Sequence, residues 1–239
     1  MGKVKIKRKS TLIDMTAMSD VTVLLLTFFM LTSTFLQKEP VTVMTPSSVS
    51  EEKVPTANLA SILVSPEGKV FISVAGEADL KNFDESWGTE AIRAAIIKEA
   101  VREYNTLHPK KKVELSEADV ATFSKLNMFG VPFSYLHKFL SMSQVEQDKF
   151  ISDMSNPMVG IPIDDNKDLN RPNEFQIWMR AIRNSGNDNL AEAMKKGEGI
   201  AVKADKGTDY ETVHHVLDNL QSLKMNRFSL MTALKTEQD

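Results

Sequence analysis

An apolar run of 24 residues, Ile13 to Leu36, follows a basic N-terminal tail, and an aspartate, Asp20, stands well inside it. As a helix the run would rise about 36 Å at about 1.5 Å per residue, which spans a hydrocarbon core of about 30 Å with some tilt. Lys3, Lys5, Lys7, Arg8 and Lys9 precede it. The bias of positive charge towards the cytoplasm keeps residues 1–12 there and sends everything after Gln37 across, into the periplasm of a bacterium. A cleaved signal peptide is the competing reading. It calls for an apolar region of about 7 to 15 residues closed by a small-x-small site, whereas Thr32, Ser33 and Thr34 are followed by Phe35 and Leu36. A retained single-pass anchor over 13–36 is therefore expected.

Asp20 lies too deep in this run to reach the interface by extending its side chain. An ionised Asp near the centre of an isolated membrane helix costs about 2.5 to 3.5 kcal/mol, so such residues face protein or water and usually have a task. Removing a carboxyl from water disfavours its charged form, and a carboxyl poised between two forms can load and release a proton. Thr16, Asp20, Thr27 and Thr34 are spaced by 4, 7 and 7 and share one narrow stripe of the helix, while Val21, Leu25, Phe28, Phe29 and Leu36 cover the other faces. One polar stripe on an apolar helix suits a face turned towards partner helices or a thin water path. An aspartate that merely holds a helix pair together is the alternative.

The run Asp14-Met15-Thr16-Ala17-Met18-Ser19-Asp20-Val21, continued by Thr22 to Thr32, resembles the membrane helix of the ExbD/TolR family. Ala17 and Asp14 stand where that family commonly has proline and asparagine. Val41-Thr42-Val43-Met44-Thr45-Pro46 is similar to the family's Val-x-Val-x-Leu-Pro linker segment, with Thr45 in place of leucine. Gly199 to Thr232 looks like its closing strand, Ala-Asp turn (Ala204, Asp205), helix and strand. The resemblance implies a homodimer of single-span subunits inside a pentamer of ExbB- or TolQ-like subunits in the bacterial inner membrane. There the proton-motive force drives work on a TonB-like or TolA-like transducer, Asp20 carries the proton, and Val41, Val43 and Pro46 belong to a partner-binding linker.

Downstream, residues 37–58 are rich in Pro, Thr, Ser and Glu and read as an extended, flexible linker that can swing the distal domain or offer a strand to a partner. Leu59 to Val64 and Lys69 to Val74 alternate around Ser65-Pro66-Glu67-Gly68, a hairpin signal. Ile200 to Lys203 has strand character. A helix capped near Thr208 or Asp209 follows, with Val213, Val216, Leu217, Leu220 and Leu223 on one face, and Phe228 to Thr232 supplies another strand. These pieces predict a small α+β domain over 59–239. Between them, 84–170 reads as a large helical insertion. Ile92, Ile96 and Ala100 recur at spacing four, Ser116 to Asp119 and Ser143 to Glu146 form capping boxes, and Phe123, Phe129, Phe133, Phe139 and Phe150 supply a core. A helix over Asn173 to Asn184, carrying Trp178 and Ile182, returns to the α+β domain.

A net charge of −3 gives no electrostatic footprint for nucleic acid, and the absence of cysteine removes disulfides and thiolate metal sites. Asp164, Asn166, Asp168 and Asn170 begin like a calcium loop, but Leu169 and Phe175 occupy its glycine and bidentate-glutamate positions. His214 and His215 are adjacent and point about 100° apart on a helix, so they cannot share a metal in the i, i+4 manner. Lys110 to Lys112 is a short basic patch that reads as a solvated turn rather than a binding site. No phosphate loop or nucleophile elbow is present. Neither a metal, another cofactor nor an enzymatic activity is expected. A proton-driven motor subunit, a non-motor anchored scaffold and an anchored enzyme are the function classes to separate.

Overall fold

The computed structural model describes residues 15–32, 43–48, 55, 57–76, 88–231 and 233–234. They fall into two compact units, Met1–Lys38 and Glu39–Asp239. The described part of the first is helix α1, Met15–Thr32. The outer residues of the expected span, Ile13, Asp14 and Ser33 to Leu36, lie outside the described residues. Among the described residues no helix is long and apolar enough to cross a membrane.

The second unit is mixed α and β. Strand β2 (Leu59–Val64) turns back into β3 (Val70–Ala75), paired antiparallel from Leu59 opposite Ala75 to Val64 opposite Val70. The turn closes because Ser65 N donates to Lys69 O and Gly68 N to Ser65 O, both at 2.9 Å. Gly68 adopts φ +73°, a left-handed conformation that suits glycine. Strand β4 (Ile200–Ala204) lies parallel to β2, and β5 (Ser229–Leu230) lies parallel to β4, giving the order β3-β2-β4-β5. Ile62, Val64, Val70, Ile72, Ile200 and Val202 are all essentially buried. The α+β expectation holds, with the hairpin and closing strand where the alternation placed them.

Among the described residues, seven helices belong to this unit: α2 (Thr89–Leu107), α3 (Glu117–Lys125), α4 (Phe133–Leu140), α5 (Gln144–Ser152), α6 (Glu174–Arg183), α7 (Asp188–Lys196) and α8 (Tyr210–Ser222). Local chemistry sets several of their starts. Ser116 with Asp119, and Ser143 with Glu146, form reciprocal capping boxes, as does Asn173 with Gln176 at α6. Asp209 caps α8 by accepting from Glu211 N. Helices α4 and α7 are additional to those the sequence pattern singled out. Helix α7 is framed by Asn187, which accepts from Leu190 N, and by Gly197 at φ +93°.

The helices share one continuous core with the sheet. Trp178 of α6 stacks between Phe123 and Phe133, near-parallel to each at 5.6 and 4.8 Å, while Phe129 tilts against it at 4.5 Å. The main chain of Phe129 exchanges two hydrogen bonds with Ile72 (2.8 and 2.9 Å) and so covers the outer edge of β3. Next to it, a Cβ on Gly130 would overlap the Phe71 ring. Buried Arg93 of α2 donates from Nε to Val74 O at 2.9 Å, fixing that helix to the end of β3.

A two-stranded parallel pair joins β1 (Ser47–Ser48) to β6 (Ala233–Leu234). This corrects the expectation of a flexible linker for the part of 37–58 that is described. Residues 43–48 are held against their own domain, because their main-chain groups find partners there.

Candidate functional site

Two regions carry the residues singled out from the sequence, the α1 helix and the docked segment 43–48. Helix α1 presents Asp20 with an exposed side chain, five residues after Met15. Among the described residues its carboxylate has neither a hydrogen bond nor an ion pair. Around it Val21, Leu24, Leu25, Phe28 and Leu31 are also more than half exposed. A helix whose apolar faces lie exposed around one polar stripe needs lipid or partner helices to cover them.

Thr27 shares the stripe but stands seven residues on, about 10 Å along the axis, so it cannot touch Asp20. Its hydroxyl donates to Leu24 O at 2.9 Å, and Thr22 does the same to Met18 O at 2.8 Å. These hydroxyls therefore spend their protons within the helix and offer only acceptor lone pairs outward. Thr16 belongs to the first turn of α1, and Thr34 lies outside the described residues.

Along the docked segment, Val43 is 8% exposed and joins the hydrophobic core. Met44 N donates to Asp205 Oδ2 at 2.6 Å, and Lys206 N returns a bond to Met44 O at 2.9 Å. Asp205 Oδ1 accepts from Gly207 N at 2.7 Å, so one carboxylate closes its own turn and grips the linker together. Asp205 N donates to Val64 O at 3.1 Å, which ties the turn to β2. Pro46 is exposed, and Val41 lies outside the described residues. The anchoring role of Asp205 was not evident in the sequence. The Ala-Asp turn was visible there, but not the partner 161 residues away.

The family model described as "Biopolymer transport protein ExbD/TolR" matches residues 7–127, just over half of the chain. The chain belongs to the ExbD/TolR family. No curated protein and no solved structure matches it.

The ExbD/TolR match takes in α1, the docked segment, the hairpin and the helices α2 and α3. It stops at Asn127, before the Ile72–Phe129 bridge and the helices α4 to α7. Among the described residues no group of His, Asp and Glu side chains could hold a metal. In the calcium-like stretch, Asn166 and Asp168 accept from the main chain two residues on, both at 2.9 Å, and Asp164 is bonded by Asn173 and Asn219. Those oxygens build a loop. His214 stacks on Tyr210 and lies 3.5 Å from Asp218, on the surface of α8.

Proposed function

We propose that this chain is an ExbD-like subunit of an inner-membrane proton-channel motor that couples the proton-motive force to work on a TonB-type energy transducer for outer-membrane transport. The observation that carries the reading is a lone, unpartnered carboxylate, Asp20, on an apolar helix inside the family match. The helix α1 with its flanking apolar residues crosses the inner membrane once, N-terminus in the cytoplasm, and the second unit lies in the periplasm. A homodimer sits within a pentamer of ExbB- or TolQ-like subunits, whose helices cover the exposed apolar faces of α1. The chain is a coupling subunit and has no enzymatic activity of its own.

In this mechanism Asp20 takes a proton from the periplasmic side and releases it to the cytoplasm, with Thr16, Thr27 and Thr34 along the same stripe. Because Thr27 stands a helical repeat of seven from Asp20, water or a partner side chain bridges the gap. Moving one charge through about 100 mV supplies about 2.3 kcal/mol, so each mechanical step of any size uses several protons. The segment containing Val41, Val43 and Pro46 connects the helix to the domain that meets the transducer.

The test is Asp20→Asn, which keeps size and polarity but cannot exchange a proton. In cells, outer-membrane uptake driven by the proton-motive force should be lost, while the variant still co-purifies with its ring partners in detergent. Full uptake by the variant would refute the motor. Normal uptake with loss of envelope integrity in a deletion strain would point to TolA-type work instead.

A further inference from the structure

A groove of about 820 Å³ lies between the irregular segment Lys111–Ser116 and helix α4. Its floor is Tyr104 stacked on Phe133, ring centroids 4.5 Å apart. The far wall is Ser134 and His137, both exposed on α4.

Two features of the near wall are unexplained by the fold. The first is its main chain. The side-chain amide of Asn105 takes both the C=O and the N–H of Val113, at 2.9 and 2.7 Å, just as a neighbouring strand would. Those of Lys112 and Glu114 have no hydrogen-bond partner among the described residues, and neither have those of Leu115. Asn105 thus holds the main chain of Val113, and the main chain on either side of it stays open.

The second feature is charge. Lys110, Lys111 and Lys112 make no ion pair among the described residues. The nearby acid Asp119 is already engaged by the Ser116 main chain and hydroxyl, both at 2.8 Å, and by His137 Nδ1 at 3.0 Å. Among the described residues, Glu114 is the one acidic side chain lining the groove. The lip is therefore cationic.

We propose that this groove docks an extended, acidic segment of a partner protein by strand addition. The partner's main chain pairs with Lys112 and Glu114, alternate apolar side chains sit on the Tyr104–Phe133 floor, and the intervening carboxylates meet Lys111 and Lys112. A free edge gives affinity through the main chain and the pockets give selectivity. A small anion would use the lysines but neither the open edge nor the aromatic floor.

The experiment uses the full-length protein in detergent micelles and a fluorescein-labelled peptide of about eight residues, the length of an ordinary strand, alternating valine or phenylalanine with glutamate. Saturable anisotropy is expected. The double variant Lys111→Glu with Lys112→Glu should weaken binding by about ten-fold. Ser134→Trp, a surface change that fills the groove, should abolish binding without altering the thermal melt. The same peptide N-methylated at alternate amides should not bind. Equal binding by the N-methylated peptide, equal binding by a peptide with lysine for glutamate, or no peptide binding at all would overturn the proposal. Displacement of the peptide by succinate or inorganic phosphate at comparable concentration would also overturn it, by marking a small-anion site.

Discussion

Replacing Asp205 should loosen the linker before it loosens the domain. Its Oδ2 accepts from Met44 N at 2.6 Å and its Oδ1 from Gly207 N at 2.7 Å, both charge-assisted main-chain bonds. The side chain is half-exposed, so each bond belongs at the low end of the range for hydrogen bonds to charged groups, about 1.5 kcal/mol. Asp205→Ala removes both, a loss of about 3 kcal/mol, of which about half acts on the linker alone. That half corresponds to about a ten-fold rise in the population with residue 44 undocked. Lys206 N to Met44 O and the buried Val43 side chain remain, so undocking stays partial. Hydrogen exchange followed by mass spectrometry on the full chain in micelles measures this directly. Peptides covering 43–48 should lose protection by about that factor while those covering β2 and β4 change little. Unchanged protection at 43–48 would refute the anchoring role, and a uniform loss across the whole unit would show that Asp205 supports the domain rather than the linker.

Gly130→Ala places a methyl group against the fully buried Phe71 ring, and overpacking of this kind costs about 1 to 3 kcal/mol. Thermal denaturation should show a Tm lowered by about 2 to 4 °C per kcal/mol, and an unchanged Tm would mean that the β3 edge yields freely. Burial pushes the Glu174 carboxyl above the usual range, against the opposing pull of the Phe133 N–H and of His108. A carboxyl raised on folding takes up a proton as the chain folds. Its contribution therefore falls as pH rises from the ordinary carboxylate range through the raised value. Glu174→Gln keeps an oxygen for Phe133 N and removes that slope. Urea unfolding from about pH 4 to about pH 7 should show the wild type losing stability relative to the variant, and a difference independent of pH would contradict the assignment.

Signals that were local in the chain were legible. The Ser65–Gly68 turn, the boxes at Ser116 and Ser143, the Asp209 cap and the buried face of Val216, Leu220 and Leu223 each depend on residues a few positions apart. Helix α4 was not, because it begins at Pro132 with no side-chain cap of its own. Its first amide, Phe133 N, is satisfied at 2.8 Å by Glu174, 41 residues later. Helix α7 has its cap in Asn187 and its stop in Gly197, signals that short polar helices share with loops. The linker misled for a related reason. Proline and polar composition describes backbone that makes no regular structure of its own, and says nothing of partners such as Asp205 and β6 that lie far along the chain. At the candidate site, the apolar helix and Asp20 were plain, since an acid in such surroundings is costly wherever the fold puts it.

The place where residues 43 and 44 are fastened also decides how the second unit bears load. Asp205 directly follows β4, which is bonded on one side to β2 and on the other to β5. A tug arriving along the linker therefore enters at an interior strand and is shared by its neighbours as shear, instead of peeling an outer strand away one bond at a time. Such an attachment makes the sheet resist as one stiff plate, so load spreads across its strands with little stretching on the way.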